Sequence, residues 1–450
     1  MKIPRLFLAP ALTALVFLTA LPAFAATPKT NFKFSFGSAS PAGGVTQILP
    51  TTAYTKELGY GFESGTVPVA VGDHALGASA PFYFSVAEPE GNYKVTVTFG
   101  SDQAASDNTV KAELRRLMLE KIHTAAGQSV TRSFIVNVRI PQFPGGVVRL
   151  KAPRETTNEA RAWDDKLTLE FNHDEANSAV SAVAIEKVDV PTLYILGDST
   201  VCDQSGEGFN SWGQMLTRWF GTGLAIANHA ESGETLASSI GEKRFAKVYS
   251  LLKPGDYVIM QFAHNDMKST APDALDRYKA DYVNVIAEIR AKGATPILVA
   301  AMERSNGANQ DTLKGYPAAA LETAAAQKAA SIDLHSMSQV FYRALGADVK
   351  KAFNDGVTHH NNYGSYELSQ MIVMGIKAAK LDLANYILPD FKDYDPAHPD
   401  PLATFKMAVS AGGRNTPRPL GDESTFGPGA ATPAAPGAPA ADAPAAPAAK

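Results

Sequence analysis

An α/β unit on a parallel sheet, preceded by a β-sandwich, is the fold class this sequence predicts, and three observations predict it. Short runs of alternating polarity, separated by Gly, Pro, Asn and Asp, fill the first part of the chain, as strands joined by turns do. After Val190-Pro191 the texture changes, and continuous apolar runs alternate with stretches of helical spacing, the pattern of a parallel sheet covered on both faces. The 450 residues are enough for two domains with separate cores.

Residues 1–25 read as a secretory signal peptide. Lys2 and Arg5 give a basic start, an apolar run follows from Ala11 to Phe24, and Ala23-Phe24-Ala25 offers a small-residue cleavage site, the layout of an export leader. A membrane anchor is the alternative, but the run is short for spanning and contains Pro22. The mature protein is therefore expected to be secreted or periplasmic, with no membrane partner once the leader is cleaved near Ala25.

Residues 30–188 read as the β-sandwich. Phe32–Phe36, Tyr93–Phe99 and Lys166–Phe171 alternate cleanly, Phe134–Ile140 is more continuously apolar, and Ser178–Lys187 gives a last strand. Val110 to Ile122 fits either a helix or a bulged strand. The parallel unit is placed at 191–411. Its strands fall at Thr192–Leu196, Leu224–Asn228, Tyr257–Phe262, Thr295–Ala301 and Ala330–Leu334, and Leu275–Lys292 is one of its helices. In such folds ligands bind beyond the carboxyl ends of the strands. From residue 412 to 450 the chain is rich in Gly, Pro and Ala, and a disordered tail is expected because so little apolar bulk cannot offset the entropy of ordering.

A formal charge of −4 gives no reason to expect nucleic acid as a partner. Cys202 is the only cysteine, so no disulfide can form within the chain. A catalytic thiol is one reading of it and a small buried core residue the other.

Four motifs follow strands directly. Gly197-Asp198-Ser199-Thr200 places a hydroxyl after the first, where a following helix would aim free N–H groups at an anion. Ala230–Glu234 contains Gly233, whose N–H could face an oxyanion as readily as it could serve an ordinary turn. His264-Asn265-Asp266 supplies a side-chain amide, a neutral donor for the same task. Asn354–Gly364 holds Asp355, His359 and His360, so a carboxylate can orient an imidazole whose other nitrogen faces a hydroxyl. Adjacent histidines also raise a metal reading, but no second cluster has ligand spacing, and no metal or other cofactor is expected.

These blocks, in this order, resemble the SGNH hydrolase superfamily, and more closely the rhamnogalacturonan acetylesterases of carbohydrate esterase family twelve. The resemblance rests on Leu196–Val201, Gly213–Leu216, Gln261–Asp266 and Thr358-His359 with Tyr363-Gly364, and covers roughly Thr192 to Leu381. It implies a three-layer αβα, flavodoxin-like catalytic domain. Phe34–Gly37 and Gly59–Phe62 look like the galactose-binding-like sandwich ahead of bacterial members, an accessory rather than a catalyst. Carried over, the pattern makes Ser199 the nucleophile and His359 the base, with the Ser199 and Gly233 N–H groups and the Asn265 side chain as oxyanion hole. Trp212, His264, His360 and Tyr363 are expected to line a sugar site.

The chain departs from the pattern twice. Ala263 stands where the third block usually has Gly. The family acid lies three residues before the histidine, where this chain has Gly356, while Asp355 is four before His359. Asp355 is assigned as the orienting acid on a longer loop, with a bare serine–histidine pair as the alternative. The resemblance implies a monomer deacetylating plant cell-wall polysaccharide. The rivals are an acetylxylan esterase or acyl-lipid hydrolase on the same fold, or a non-catalytic carbohydrate-binding protein.

Overall fold

The computed structural model describes residues 30–410; the leader and the tail lie outside them. Up to Val188 the chain forms two large sheets. One takes the order Val130–Val138, Gly91–Phe99, Val180–Val188, Asn31–Phe36, Thr46–Ile48; the other runs Tyr60–Phe62, Phe82–Ala87, Lys166–Asn172, Ser106–Ala112, Arg116–Thr124. Alternation along the strands sends one set of side chains inward, and the two sheets face each other across a shared aromatic core. Phe34 and Phe36 of one sheet meet Phe84 of the other edge-on, each at 5.2 Å between ring centres.

The segment that fitted either a helix or a bulged strand is extended, with the irregular register of a bulge. It belongs to an antiparallel hairpin, Ser106–Ala112 with Arg116–Thr124, carrying register shifts near Val110 and turned by Glu113 and Arg115 at φ 54° and 63°. Its periodicity is obscured because Lys111, Glu113, Arg115 and Arg116 are buried, facing partners elsewhere in the chain rather than water.

From Thr192 onward five parallel strands form one sheet, ordered Ala225–Asn228, Thr192–Gly197, Tyr257–Gln261, Thr295–Val299, Ala330–Ile332. Leu193 and Ile195 pack on one face with the helices Trp212–Leu216, Leu334–Leu345 and Asn362–Ala378. Tyr194 and Leu196 pack on the other with Arg244–Leu251, Ala274–Ala291 and Tyr316–Ala326. The earliest strand lies between the next two, so the chain leaves it in opposite directions. The crevice at such a switch point is where this architecture takes ligands.

The chain then returns to its beginning. Lys111 Nζ, buried, donates to the carbonyl of Ala408 and to Ser410 Oγ, each at 2.7 Å. Asn172 donates to the carbonyl of Val409 at 2.9 Å.

Candidate active site

Ser199 stands on a tight turn beyond the first parallel strand. The Asp198 carbonyl accepts from the N–H groups of Val201 and Cys202, each at 3.0 Å. The buried Asp198 carboxylate accepts from Thr200 N–H and Oγ at 2.9 and 2.7 Å. Glycine is needed just before: a Cβ on Gly197 would lie 2.7 Å from the Gln261 carbonyl and from a Val201 methyl. The helix expected directly behind Ser199 is absent, since the next one starts at Trp212. Among the described residues the Ser199 N–H meets no acceptor.

His359 Nε2 lies 2.8 Å from Ser199 Oγ, and His359 Nδ1 lies 2.6 Å from Asp355 Oδ2. The four-residue spacing is resolved by the loop itself. Asp355 Oδ1 accepts from the N–H groups of Val357, Thr358 and His359 at 2.9, 2.8 and 3.0 Å. Gly356, where the family pattern has its acid, takes φ 72°, a left-handed turn suited to glycine. Burial pushes the Asp355 carboxyl up, but these N–H groups and the imidazole outweigh it and hold it below its ordinary range. An ionised acid on one ring nitrogen and a hydroxyl on the other form an arrangement able to move the Ser199 proton.

Gly233 and Asn265 close the other side. Gly233 has φ 78°, and its N–H, like that of Ser199, meets no acceptor among the described residues. The Asn265 amide donates to the Glu234 carbonyl at 2.9 Å and accepts from Lys268 Nζ at 2.7 Å, which fixes its plane and leaves one N–H to spare. Ser199, Gly233, Asn265, Asp355 and His359 share a cleft of about 660 Å³. Three donors lining one cleft with a hydroxyl can hold developing negative charge.

The four residues expected to line a sugar site do not reach this cleft. Trp212 is fully buried and donates to Gln261 at 2.9 Å. His264 is buried with Nδ1 3.5 Å from Asp198. Tyr363 donates to the Asp400 carbonyl at 2.8 Å and packs on Phe405. His360 lies 2.8 Å from the Tyr342 hydroxyl and stacks on its ring. All four are buried, and none of them is among the residues that line the cleft. Cys202 is likewise buried, and burial pushes its thiol well up.

Burial holds His360 down at about 3. An unfolded histidine takes a proton near pH 6.5, so between that pH and about 3 only the unfolded chain is protonated. The contribution of His360 to stability is therefore full above pH 6.5 and lost as the pH falls. His360→Gln should remove one proton from this dependence and flatten the stability curve by about 1.4 kcal/mol per pH unit across that range. Denaturant titrations at a series of pH values measure it.

The outer walls of the cleft carry no recognisable motif. Arg154, Asn158 and Glu159, ahead of the parallel unit, line the cleft together with Gln204, Phe209 and Lys268. Arg115, at the tip of the early hairpin, donates to the carbonyls of Gln204, Gly206 and Phe209 at 2.9, 3.0 and 3.1 Å and pairs with Glu207 at 2.9 Å. These bonds hold one wall in place, and Phe209 packs edge-on to His359 at 5.8 Å between ring centres.

Glu303, Asp311 and His335 are the grouping among the described residues that could hold a metal. Glu303 is already engaged by the N–H groups of Arg304 and Thr312 and by His335, at 3.0, 2.8 and 2.9 Å. These contacts brace the loop after the fourth parallel strand, outside the cleft lining.

Residues 195–365 match the model of the GDSL-like Lipase/Acylhydrolase family. The chain is similar to the uncharacterized esterase YxiM of Bacillus subtilis (strain 168), 26% identical over 383 residues that cover 78% of this chain and 92% of that one. The rhamnogalacturonan acetylesterase RhgT of the same strain is 28% identical over 218 residues, 44% of this chain and 94% of RhgT. The crystal structure of YxiM superposes with a TM-score of 0.43 at 23% identity, covering 78% of this chain and 99% of that one.

Proposed function

We infer that this chain, which carries a GDSL/SGNH lipase–acylhydrolase domain and is a carboxylic ester hydrolase, removes acetyl groups from a pectic polysaccharide outside the cytoplasm. The observation that carries the reading is the relay from Asp355 through His359 to Ser199, at 2.6 and 2.8 Å. His359 takes the Ser199 proton as Oγ attacks the acetyl carbonyl. The oxyanion is received by the N–H groups of Ser199 and Gly233 and by the Asn265 amide. His359 then protonates the departing sugar hydroxyl, and water releases acetate from Ser199.

A glycan rather than a lipid is supported by the walls, where Arg154, Asn158, Glu159 and Gln204 are better suited to hydroxyls than to an acyl chain. A pectic glycan is supported by the similarity to RhgT, named for rhamnogalacturonan. Export is supported by the residue pattern of 1–25, and no helix among the described residues is long and apolar enough to cross a membrane. Residues 30–188 act in this reading as an accessory unit that contributes to the cleft.

Acetate release from acetylated rhamnogalacturonan, acetylated xylan and a series of model esters of increasing acyl length tests the reading. Acetylated rhamnogalacturonan should give the highest kcat/KM. A preference for xylan would move the substrate to hemicellulose, and a preference for long acyl chains would make the protein a lipase. Asn265→Ala should lower kcat about 10²–10³-fold, as loss of one oxyanion donor does; near-full turnover on a short acetyl ester would remove Asn265 from the hole.

A further inference from the structure

Lys151 Nζ and Arg154 Nη2 both donate to the carbonyl oxygen of Ser232, each at 2.9 Å. Each cation also pairs with a carboxylate beside that carbonyl, Lys151 with Glu234 and Arg154 with Glu231. The Ser232 oxygen belongs to the same peptide unit as the N–H of Gly233. That unit is trans, so its oxygen and its N–H point in opposite directions. Cations gripping the oxygen from one side turn the N–H to the other. They also draw electron density from the oxygen and make the N–H a stronger donor.

The grip is itself well founded. Glu155 accepts from the Lys151 N–H at 2.7 Å, from Arg244 at 2.6 and 3.1 Å and from the Trp163 indole at 2.9 Å, and Glu155, Arg244 and Trp163 are all buried. The segment carrying both cations is thus fastened to the helix Arg244–Leu251 of the parallel unit. The Gly233 N–H meets no acceptor among the described residues.

We propose that Lys151 and Arg154 are positioning residues lent by the N-terminal unit, which fix and polarise the Ser232–Gly233 peptide so that the Gly233 N–H receives the oxyanion. This rests on the reading of Ser199 and Gly233 given above. The N-terminal unit then takes part in the chemistry without touching the substrate at the reacting carbon.

The test uses full-length Lys151→Met, Arg154→Met and the double variant, with Lys151→Arg and Arg154→Lys as conservative partners, on nitrophenyl acetate. Each single variant should lower kcat about tenfold and the double about 10²-fold, approaching the loss of one oxyanion donor, with KM within about twofold. The inhibition constant of a small alkylboronic acid, which bonds to Ser199 Oγ as its proton passes to His359 and mimics the tetrahedral anion, should rise in proportion to the loss in kcat. The conservative variants should recover most of both. An unchanged kcat and boronate affinity in a double variant that melts like the parent overturns the proposal, and so does a raised KM at constant kcat. Should the double variant not fold, Arg154→Gln carries the decision alone, because Arg154 is 39% exposed. Ser199→Ala separates the two levels. If it still hydrolyses the ester, the site reading itself falls; if it is inactive while the cation variants are unaffected, only the positioning role falls.

Discussion

Ser199→Ala is expected to lower acetyl-ester turnover about 10⁴–10⁶-fold, the scale of losing a nucleophile from a serine–histidine relay. The Oγ is the atom that His359 Nε2 approaches, and alanine leaves the imidazole without a proton to take. The turn should survive, because its hydrogen bonds run through the Asp198 carbonyl and carboxylate rather than through the serine side chain. Acetate release together with a melting curve checks both halves of this statement. A loss below tenfold would require another nucleophile. The nearby Cys202 is poorly suited, since its buried thiol is pushed away from the reactive thiolate.

Asp355→Asn should cost about 10⁴-fold in kcat while leaving the fold intact. The asparagine oxygen can still accept the three loop N–H groups that Asp355 Oδ1 accepts. Its amide nitrogen would then face His359 Nδ1, force that nitrogen to accept, and leave the proton on Nε2. A protonated Nε2 cannot take a proton from Ser199. A kcat within tenfold of the parent would instead mean that the serine–histidine pair works without its acid.

Much of the catalytic unit is legible in the sequence, because each parallel strand is a short apolar run ending in polar residues. The sheet order then brings the ends of the first three strands together, so Ser199, Gly233 and Asn265 meet although 66 residues separate the first from the last. Asp355 is legible as a neighbour of His359, but its four-residue spacing is explained only by the left-handed turn at Gly356. The aromatic and histidine side chains near the motifs are misleading for a physical reason. A ring beside a functional loop can face the cleft or the core, and residue type does not say which. Trp212, His264, His360 and Tyr363 all face the core. The hairpin of 106–124 and the wall carrying Lys151 and Arg154 are illegible for the opposite reason. Their charged side chains are partnered by residues about 80 to 300 positions away, and no local pattern encodes such pairs.

Lys111 joins the early hairpin to Ala408 and Ser410, almost three hundred residues later. During synthesis the ribosome releases that lysine long before its acceptors exist. A buried ammonium short of hydrogen-bond acceptors is unfavourable, and its own sheet offers it the Glu170 carboxylate only at 4.0 Å, so the first half of the protein lacks the close acceptors of this lysine until residues 408–410 are in place. The final closure of the earliest-made sheets therefore waits on residues made almost three hundred positions later.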